Sequence, residues 1–288
     1  MSNPSLFGNL FLSAGAMKAG TTWLFHVMSR HPELFFSPEK EIHYFYAKYV
    51  DSGVLSDQRR LENAKNRYIE RIDPTRANID RVRYNLHWVA AYLNQPVDDF
   101  WYRNLFQTPG RATYNCDFSN FYASLPVEAW PQIAANCNKL RVLYTLRHPV
   151  KRLWSHVKFH LQVTNKTEVL DTWGPKEFEK FARQWFIWEN AEYGRALRKM
   201  KAGLGEDMLK VLFFEDIHAS KREALSDIEA FLEIAPFTYP QPLLNQRINE
   251  SVSHPMPDYF PEIFAKDVAR ITGEVEDEGL AIPAAWNS

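Results

Sequence analysis

Apolar residues in this chain come in short continuous runs separated by stretches with helical spacing. Runs at 10–13, 112–118, 141–146 and 209–214 predict four strands, and 34–37 reads as a further short extended piece. Between them, 21–30, 178–201 and 221–232 predict helices. The first of these stops at His31-Pro32, because proline lacks the amide that would continue it. Residues 58–107 read as helices rich in arginine and aromatic side chains. Strands alternating with helices predict an α/β fold, a P-loop-like, mostly parallel sheet flanked by helices on both faces. No repeat, low-complexity tract or Gly/Ser linker divides the chain. One domain is therefore expected over 1–288, with about 50–110 as a helical elaboration beside the sheet.

Composition changes this picture only at its edges. With 288 residues, 45% of them hydrophobic, the chain can bury a sizeable core. A formal net charge of -1 supplies no global field to draw in nucleic acid or an anionic membrane, so no nucleic-acid partner is expected. Two cysteines, Cys116 and Cys137, are too few for a disulfide framework and are expected to be reduced and buried, as suits a cytoplasmic protein. The first ten residues lack the basic region of a signal peptide. The apolar run from Leu10 to Met17 falls far short of the roughly 20 residues a bilayer demands, so no stable membrane insertion is expected.

The strongest local signal lies where the first strand meets the first helix, at Gly15-Ala16-Met17-Lys18-Ala19-Gly20-Thr21-Thr22. A loop in that setting offers unpaired amides and the positive end of a helix dipole, and phosphate or sulfate binds there readily. The frame is close to the Walker loop, but Thr21 stands where the Walker lysine belongs and Lys18 lies two residues before the second glycine. A lysine inside the loop can instead reach the bridging oxygen of a 5′-phosphosulfate, where negative charge grows as the sulfuryl group leaves. The plainer alternative is a Lys/Gly surface turn. A second segment, Arg141-Val142-Leu143-Tyr144-Thr145-Leu146-Arg147-His148-Pro149, is a strand ending in Arg-x-Pro that runs into a helix-like 150–156. Arg147 then lies at a strand's C-terminal edge, where open α/β sheets bind ligands, and Ser155 follows a turn or two into the helix. An arginine fork with a hydroxyl suits a phosphate monoester, although a surface salt bridge is the ordinary fate of such an arginine.

Together these segments resemble the sulfotransferase family that uses 3′-phosphoadenosine-5′-phosphosulfate (PAPS), especially its bacterial members and the heparan-sulfate-type branch. Lys18-Ala19-Gly20-Thr21-Thr22-Trp23-Leu24 is similar to the family's 5′-phosphosulfate loop, and 146–156 to its 3′-phosphate motif. The resemblance implies that Arg147 and Ser155 hold the 3′-phosphate. It places Lys18, Ala19, Gly20, Thr21, Thr22 and Trp23 at the 5′ end. Ser37-Pro38-Glu39-Lys40-Glu41-Ile42-His43-Tyr44-Phe45 resembles the stretch carrying the catalytic glutamate of the heparan-type branch, and 211–217 the late strand ending in Glu-Asp. These four segments stand in the family's order over roughly residues 10–235. Some positions depart from the pattern. His148 stands where many members carry Asp, and its side chain need not touch phosphate. Cys116-Asp117-Phe118-Ser119 resembles the Gly-Asp-Phe-Thr strand end but lacks its glycine and the proline that follows. Asn245-Gln246-Arg247-Ile248-Asn249-Glu250-Ser251, ahead of His254-Pro255, replaces the C-terminal Arg-Lys-Gly loop of animal members. Arg247 is its candidate for facing the donor.

The acceptor must lose a proton as it attacks sulfur, and Glu41 and His43 are the candidate bases. Residues two apart in an extended segment share a face, so both point into the site on that reading, with Lys40 pointing away unless the segment is irregular. Glu41 is the first choice, with Lys18 as its catalytic partner at the leaving group. His156 and His160 have a spacing that can bind zinc, but no zincin glutamate or cysteine cluster accompanies them. A helix-surface pair is expected, and no metal. Asp216 sits where a Walker B acid would, but Glu215-Asp216 is expected to cap the next helix or orient a loop.

On the acceptor side, eight basic residues between Arg59 and Arg83 face four acids. They form either a groove for an anionic glycan or, the favoured reading, a solvated helix face laced with ion pairs. Trp88, Tyr92, Phe100, Trp101, Tyr102 and Phe106 have the spacing of core residues. The expected reaction is in-line sulfuryl transfer from PAPS to a hydroxyl or amine, with 3′-phosphoadenosine 5′-phosphate (PAP) released. The acceptor is a small molecule or glycan: a carbohydrate, glycolipid or metabolite. Oligomeric state stays open. The alternatives are a P-loop kinase, which needs Mg²⁺ and a Walker lysine, and a non-catalytic nucleotide-binding protein.

Overall fold

The computed structural model describes residues 5–50, 52–106, 112–248 and 252–286. Five strands, β1 (Asn9–Gly15), β2 (Leu34–Phe36), β3 (Tyr114–Phe118), β4 (Lys139–Leu146) and β5 (Leu209–Phe213), form one sheet in the order β2-β3-β1-β4-β5. Every neighbouring pair is parallel. The expected α/β architecture is the one observed, and the short extended piece at 34–37 proves to be an edge strand. In β1, Leu10, Leu12 and Ala14 pack into one core and Phe11 into the core on the opposite face. A central parallel strand is covered on both sides, which is why its sequence reads as an unbroken apolar run.

The strand order reverses at β1. The loops after β1 and β4 leave in opposite directions and open a crevice at the carboxyl edge of the sheet, the place where such folds bind ligands. Helices Thr21–Met28 and Pro149–Val163 begin at that crevice, the second with proline in its first turn, where no amide partner is lost. Lys221–Leu232 forms as the periodicity predicts.

The single helix expected over 178–201 does not form. Helices Pro175–Ala182, Trp185–Trp188 and Tyr193–Gly203 replace it, broken at Gln184 (ψ 140°) and Glu192 (ψ 61°). Phe178 and Ile187 both pack into the core beside helix Pro149–Val163, and Glu192 takes hydrogen bonds from Trp188 and Arg270. These tertiary contacts override helix propensity.

The elaboration comprises helices Asp57–Ala64, Ile79–Tyr92 and Asp99–Asn104, with a π-helical turn at Lys65–Ile69. Gln107, within the predicted helical stretch, lies outside the described residues. Of the six aromatics with core spacing in the elaboration, Trp88, Tyr92, Trp101, Tyr102 and Phe106 are buried and Phe100 is 57% exposed; Tyr84 is exposed as well. Of its basic residues, Lys65, Arg76 and Arg83 pair with acids on the surface. Arg60 departs from the solvated reading. It is buried, with its guanidinium on Asp57 and on the carbonyls of Leu55, Tyr92 and Asn94. Cys116 and Cys137 are both free thiols, but Cys137 is only partly buried. Among the described residues no helix is long and apolar enough to cross a membrane.

Candidate functional site

Lys18 follows β1 and Arg147 follows β4, so two segments 129 residues apart in sequence meet at one sheet edge, where Arg147 Nη1 donates to the Lys18 carbonyl at 3.1 Å. The loop between them depends on two glycines. Gly15 has φ 119°, and a Cβ there would lie 2.9 Å from the Asn120 carbonyl oxygen. Gly20 has φ 85°, and its Cβ would lie 2.9 Å from the Phe214 ring. Lys18 itself is left-handed, at φ 68°, an uncommon conformation for a side-chain-bearing residue that aims its ammonium at the Phe159 ring, 4.5 Å away.

Lys18, Gly20, Thr21, Thr22, Trp23, Glu41, Arg147, Ser155 and Arg247 all line one cleft of about 1070 Å³. Two of the residues singled out from sequence do not. Ala19 is fully buried beneath the loop, and its amide donates to the Ala16 carbonyl at 3.2 Å. His43 stands behind Glu41, stacked on Phe121 with 4.6 Å between ring centres. The segment is not a regular strand. Ser37 Oγ bonds to the Glu39 carbonyl, and His43 is left-handed at φ 59°. The two-residue alternation therefore fails, and Lys40 turns toward Glu41 instead of away.

Glu41 is held from both sides, by Lys40 Nζ at 2.7 Å from Oε1 and His43 Nε2 at 3.3 Å from Oε2. Burial opposes its ionisation, but these two partners win and hold the carboxyl well below the usual carboxylate range. Its neighbour Glu39, 3% exposed, is pushed the other way by burial, although Arg67 and Tyr68 of the elaboration both bond to it. The elaboration thereby pins the segment that carries Glu41. Lys18 is lowered to about 8, first by burial and then by the charges of Arg147, Lys158 and Lys40. The Arg147 guanidinium sits 4.4 Å from the Phe214 ring centre, with its Nε buried and unpartnered.

Sequence reasoning missed several residues of the cleft. Lys151, Lys158 and Phe159 share the helix face of Ser155, at spacings of four, three and four, and a helical wheel drawn from Ser155 finds them. Lys158 Nζ donates to the carbonyls of Val252 and His254, and Lys221 Nζ to that of Leu244, so two lysines strap the C-terminal segment over the cleft. Arg247 lies on that segment. Asn249, Glu250 and Ser251 lie outside the described residues. Among the described residues that line the cleft, six lysines and arginines accompany one carboxylate, Glu41, a local field that the near-neutral chain as a whole does not reveal.

The remaining candidates sit outside the cleft. The His148 amide donates to Glu215 Oε1, and Glu215 Oε2 accepts from Trp286, so Glu215 orients the turn that carries Arg147. Asp216 is exposed and is not part of the cleft wall. His156 is not a surface residue. It is 2% exposed and bonded to Arg152, while His160 stacks on Phe186.

Residues 12–238 match the family model described as "Sulfotransferase family". The chain belongs to the sulfotransferase family. Among solved structures, a sulfotransferase from Alicyclobacillus acidocaldarius has a TM-score of 0.63 at 19% identity, covering 100% of both chains. The sulfotransferase domain of the Synechococcus PCC 7002 olefin synthase has a TM-score of 0.53 at 18% identity, covering 98% of each. At such identities the likeness shows the fold. No curated protein sequence matches this sulfotransferase-family chain.

Proposed function

We propose that this protein transfers the sulfuryl group of PAPS to an acceptor hydroxyl or amine by in-line displacement, releasing PAP and using no metal. The observation that carries the reading is the convergence of Lys18, Glu41, Arg147 and Ser155 on one cleft at the carboxyl edge of β1 and β4. The cleft fits an anionic nucleotide. Arg147 Nε and Trp23 Nε1 are buried donors without partners, and Lys18 is a half-buried ammonium crowded by other cations. Such groups gain most from phosphate or sulfate oxygens.

PAPS supplies the activated sulfuryl group on an anionic leaving phosphate. Arg147 and Ser155 hold the 3′-phosphate. Gly20, Thr21 and Thr22 present loop and helix-start amides to the 5′ end, where Lys18 offsets the charge that develops as the bond to sulfur breaks. Glu41 receives the acceptor's proton. Its low pKa keeps it ionised at neutral pH but makes it a weak base, so proton transfer runs late, once bond formation to sulfur has acidified the attacking group. His43 orients Glu41 in this reading. The Glu41 segment supports a place near the heparan-sulfate-type branch, and the elaboration that pins it, 50–110, supports an acceptor side there. The free thiols suit a cytoplasmic setting.

A nucleotide titration tests the reading. PAP without metal binds in preference to ATP with Mg²⁺, and labelled PAPS passes its sulfuryl group to an acceptor from a broad panel. Preference for Mg·ATP would replace it with a kinase reading, which the exposed Asp216 already disfavours.

A further inference from the structure

Asn120 follows β3 and is 5% exposed, yet its side-chain carbonyl oxygen is buried with no hydrogen-bond partner while the residue lines the cleft. A buried amide oxygen left without a donor is costly, so such an atom calls for a ligand. Its place in the cleft follows from its neighbours. The Asn120 backbone carbonyl packs against Gly15, at the start of the phosphate loop. Ser119 Oγ accepts the His43 amide at 2.9 Å and donates to the buried Asp117 at 2.6 Å. Phe121 stacks on the His43 ring, which in turn touches Glu41. Asn120 is thus fixed between the loop that carries Lys18 and the segment that carries Glu41, where the acceptor's attacking atom must come.

We infer that Asn120 selects the acceptor: its side-chain oxygen accepts a hydrogen bond from a second O–H or N–H next to the attacking group. Glu41 is an ionised carboxylate and takes the proton of the nucleophile. The amide oxygen of Asn120, which lines the same cleft, can only accept, so it matches an acceptor that brings a second donor close to the attacking group. The class is a vicinal diol or amino alcohol, as in a sugar ring, rather than an isolated alcohol. A site built to hydrogen-bond a substrate hydroxyl discriminates strongly against the analogue that lacks it, because its own polar group is then left unpaired. This inference rests on the sulfotransferase reading of the same cleft.

The test compares trans-cyclohexane-1,2-diol with cyclohexanol as acceptors for the full chain. Turnover from labelled PAPS is one readout, and binding to the PAP-saturated protein by saturation-transfer NMR is the second. The wild type prefers the diol by about 10- to 100-fold, the scale of one unpaired buried polar group. Asn120→Leu, of similar size, abolishes that preference and leaves PAP affinity by calorimetry unchanged. Asn120→Asp keeps an accepting oxygen in place and retains the preference ratio, whatever its charge does to the absolute rate. Equal use of the two alcohols by the wild type overturns the inference, as does a preference that survives Asn120→Leu or one that disappears in Asn120→Asp. Loss of PAP affinity in Asn120→Leu also overturns it, by assigning the residue to the donor. If the wild type transfers nothing from PAPS to any acceptor, the sulfotransferase reading itself has failed; diol selectivity is then read from the PAP complex, where its absence again refutes the role of Asn120.

Discussion

The lowered pKa of Lys18 makes donor affinity depend on pH in a window where few other groups titrate. Its ammonium falls to about 8, because burial strips water from it and Arg147, Lys158 and Lys40 add like charge, with Glu41 the opposing influence. A lysine lowered in the free protein is charged below that value and neutral above it, whereas a bound phosphate favours the charged form. PAP must therefore bind best below about pH 8 and lose affinity above it. A group titrating near 8 is about nine-tenths protonated at pH 7 and about one-tenth at pH 9, so the apparent affinity falls by roughly tenfold between them. The lower limit of the window avoids the second ionisation of a phosphate monoester, near about pH 6. Calorimetry with PAP from pH 7 to 9, repeated in buffers of different ionisation enthalpy, reads both the affinity and the proton taken up, which approaches one per site at the alkaline end. Lys18→Arg keeps its charge throughout and gives a flat profile. A flat wild-type profile, or a slope that persists in Lys18→Arg, would falsify the assignment of Lys18 to the 5′ end.

Two further substitutions separate the roles within the cleft. Arg147→Ala weakens PAP by about 2–3 kcal/mol, the scale of a hydrogen bond to a charged group, and leaves 5′-AMP almost untouched; calorimetry that finds equal losses on both ligands would make Arg147 a structural residue. Glu41→Gln leaves PAP affinity near normal and lowers kcat by a factor on the order of 10²–10⁴, whereas His43→Ala, which removes a neighbour of the base but not the base, costs less; steady-state kinetics showing the reverse order would make histidine the base.

Much of the proposed donor side was legible in the sequence because that part of the cleft is built from local segments. A strand, a glycine-bearing loop and a helix start are contiguous, so 15–22 places Lys18 without reference to the rest of the chain. The Arg147–Ser155 pair likewise needs only one strand and two helical turns. The acceptor side is assembled across long separations and was read less well. His43 was expected to point beside Glu41, but its left-handed backbone, the Ser119 hydroxyl on its amide and the Phe121 ring place it behind the carboxylate. Arg67 looked like one surface arginine among many, yet it reaches Glu39 across 28 residues. The break of 178–201 into three helices goes with tertiary contacts, among them that of Glu192 with Arg270, far along the chain. Asn120 carried no motif, although its place just past a strand's carboxyl end put it at the edge where this fold gathers its chemistry.

The two sides of the cleft are held by different parts of the fold, and that division bears on how such a protein changes substrate. Lys18 and Arg147 follow β1 and β4, each of which is paired on both sides, and Glu215 fixes the turn at Arg147. A shift on this side disturbs the core. Glu41 instead hangs on a non-regular segment fastened by Arg67 and Tyr68 from the elaboration and by Ser119 at the end of β3. On the proposed reading, substitutions in the elaboration act on the Glu41 segment through Arg67 and Tyr68 and leave the loops that carry Lys18 and Arg147 in place. Donor recognition, on that same reading, is tied to the stability of the sheet, while acceptor recognition rests on attachments that can be altered piecemeal. Asn120, with its buried and unpartnered amide oxygen, lines the same cleft, which makes the proposed acceptor side the more informative half to probe.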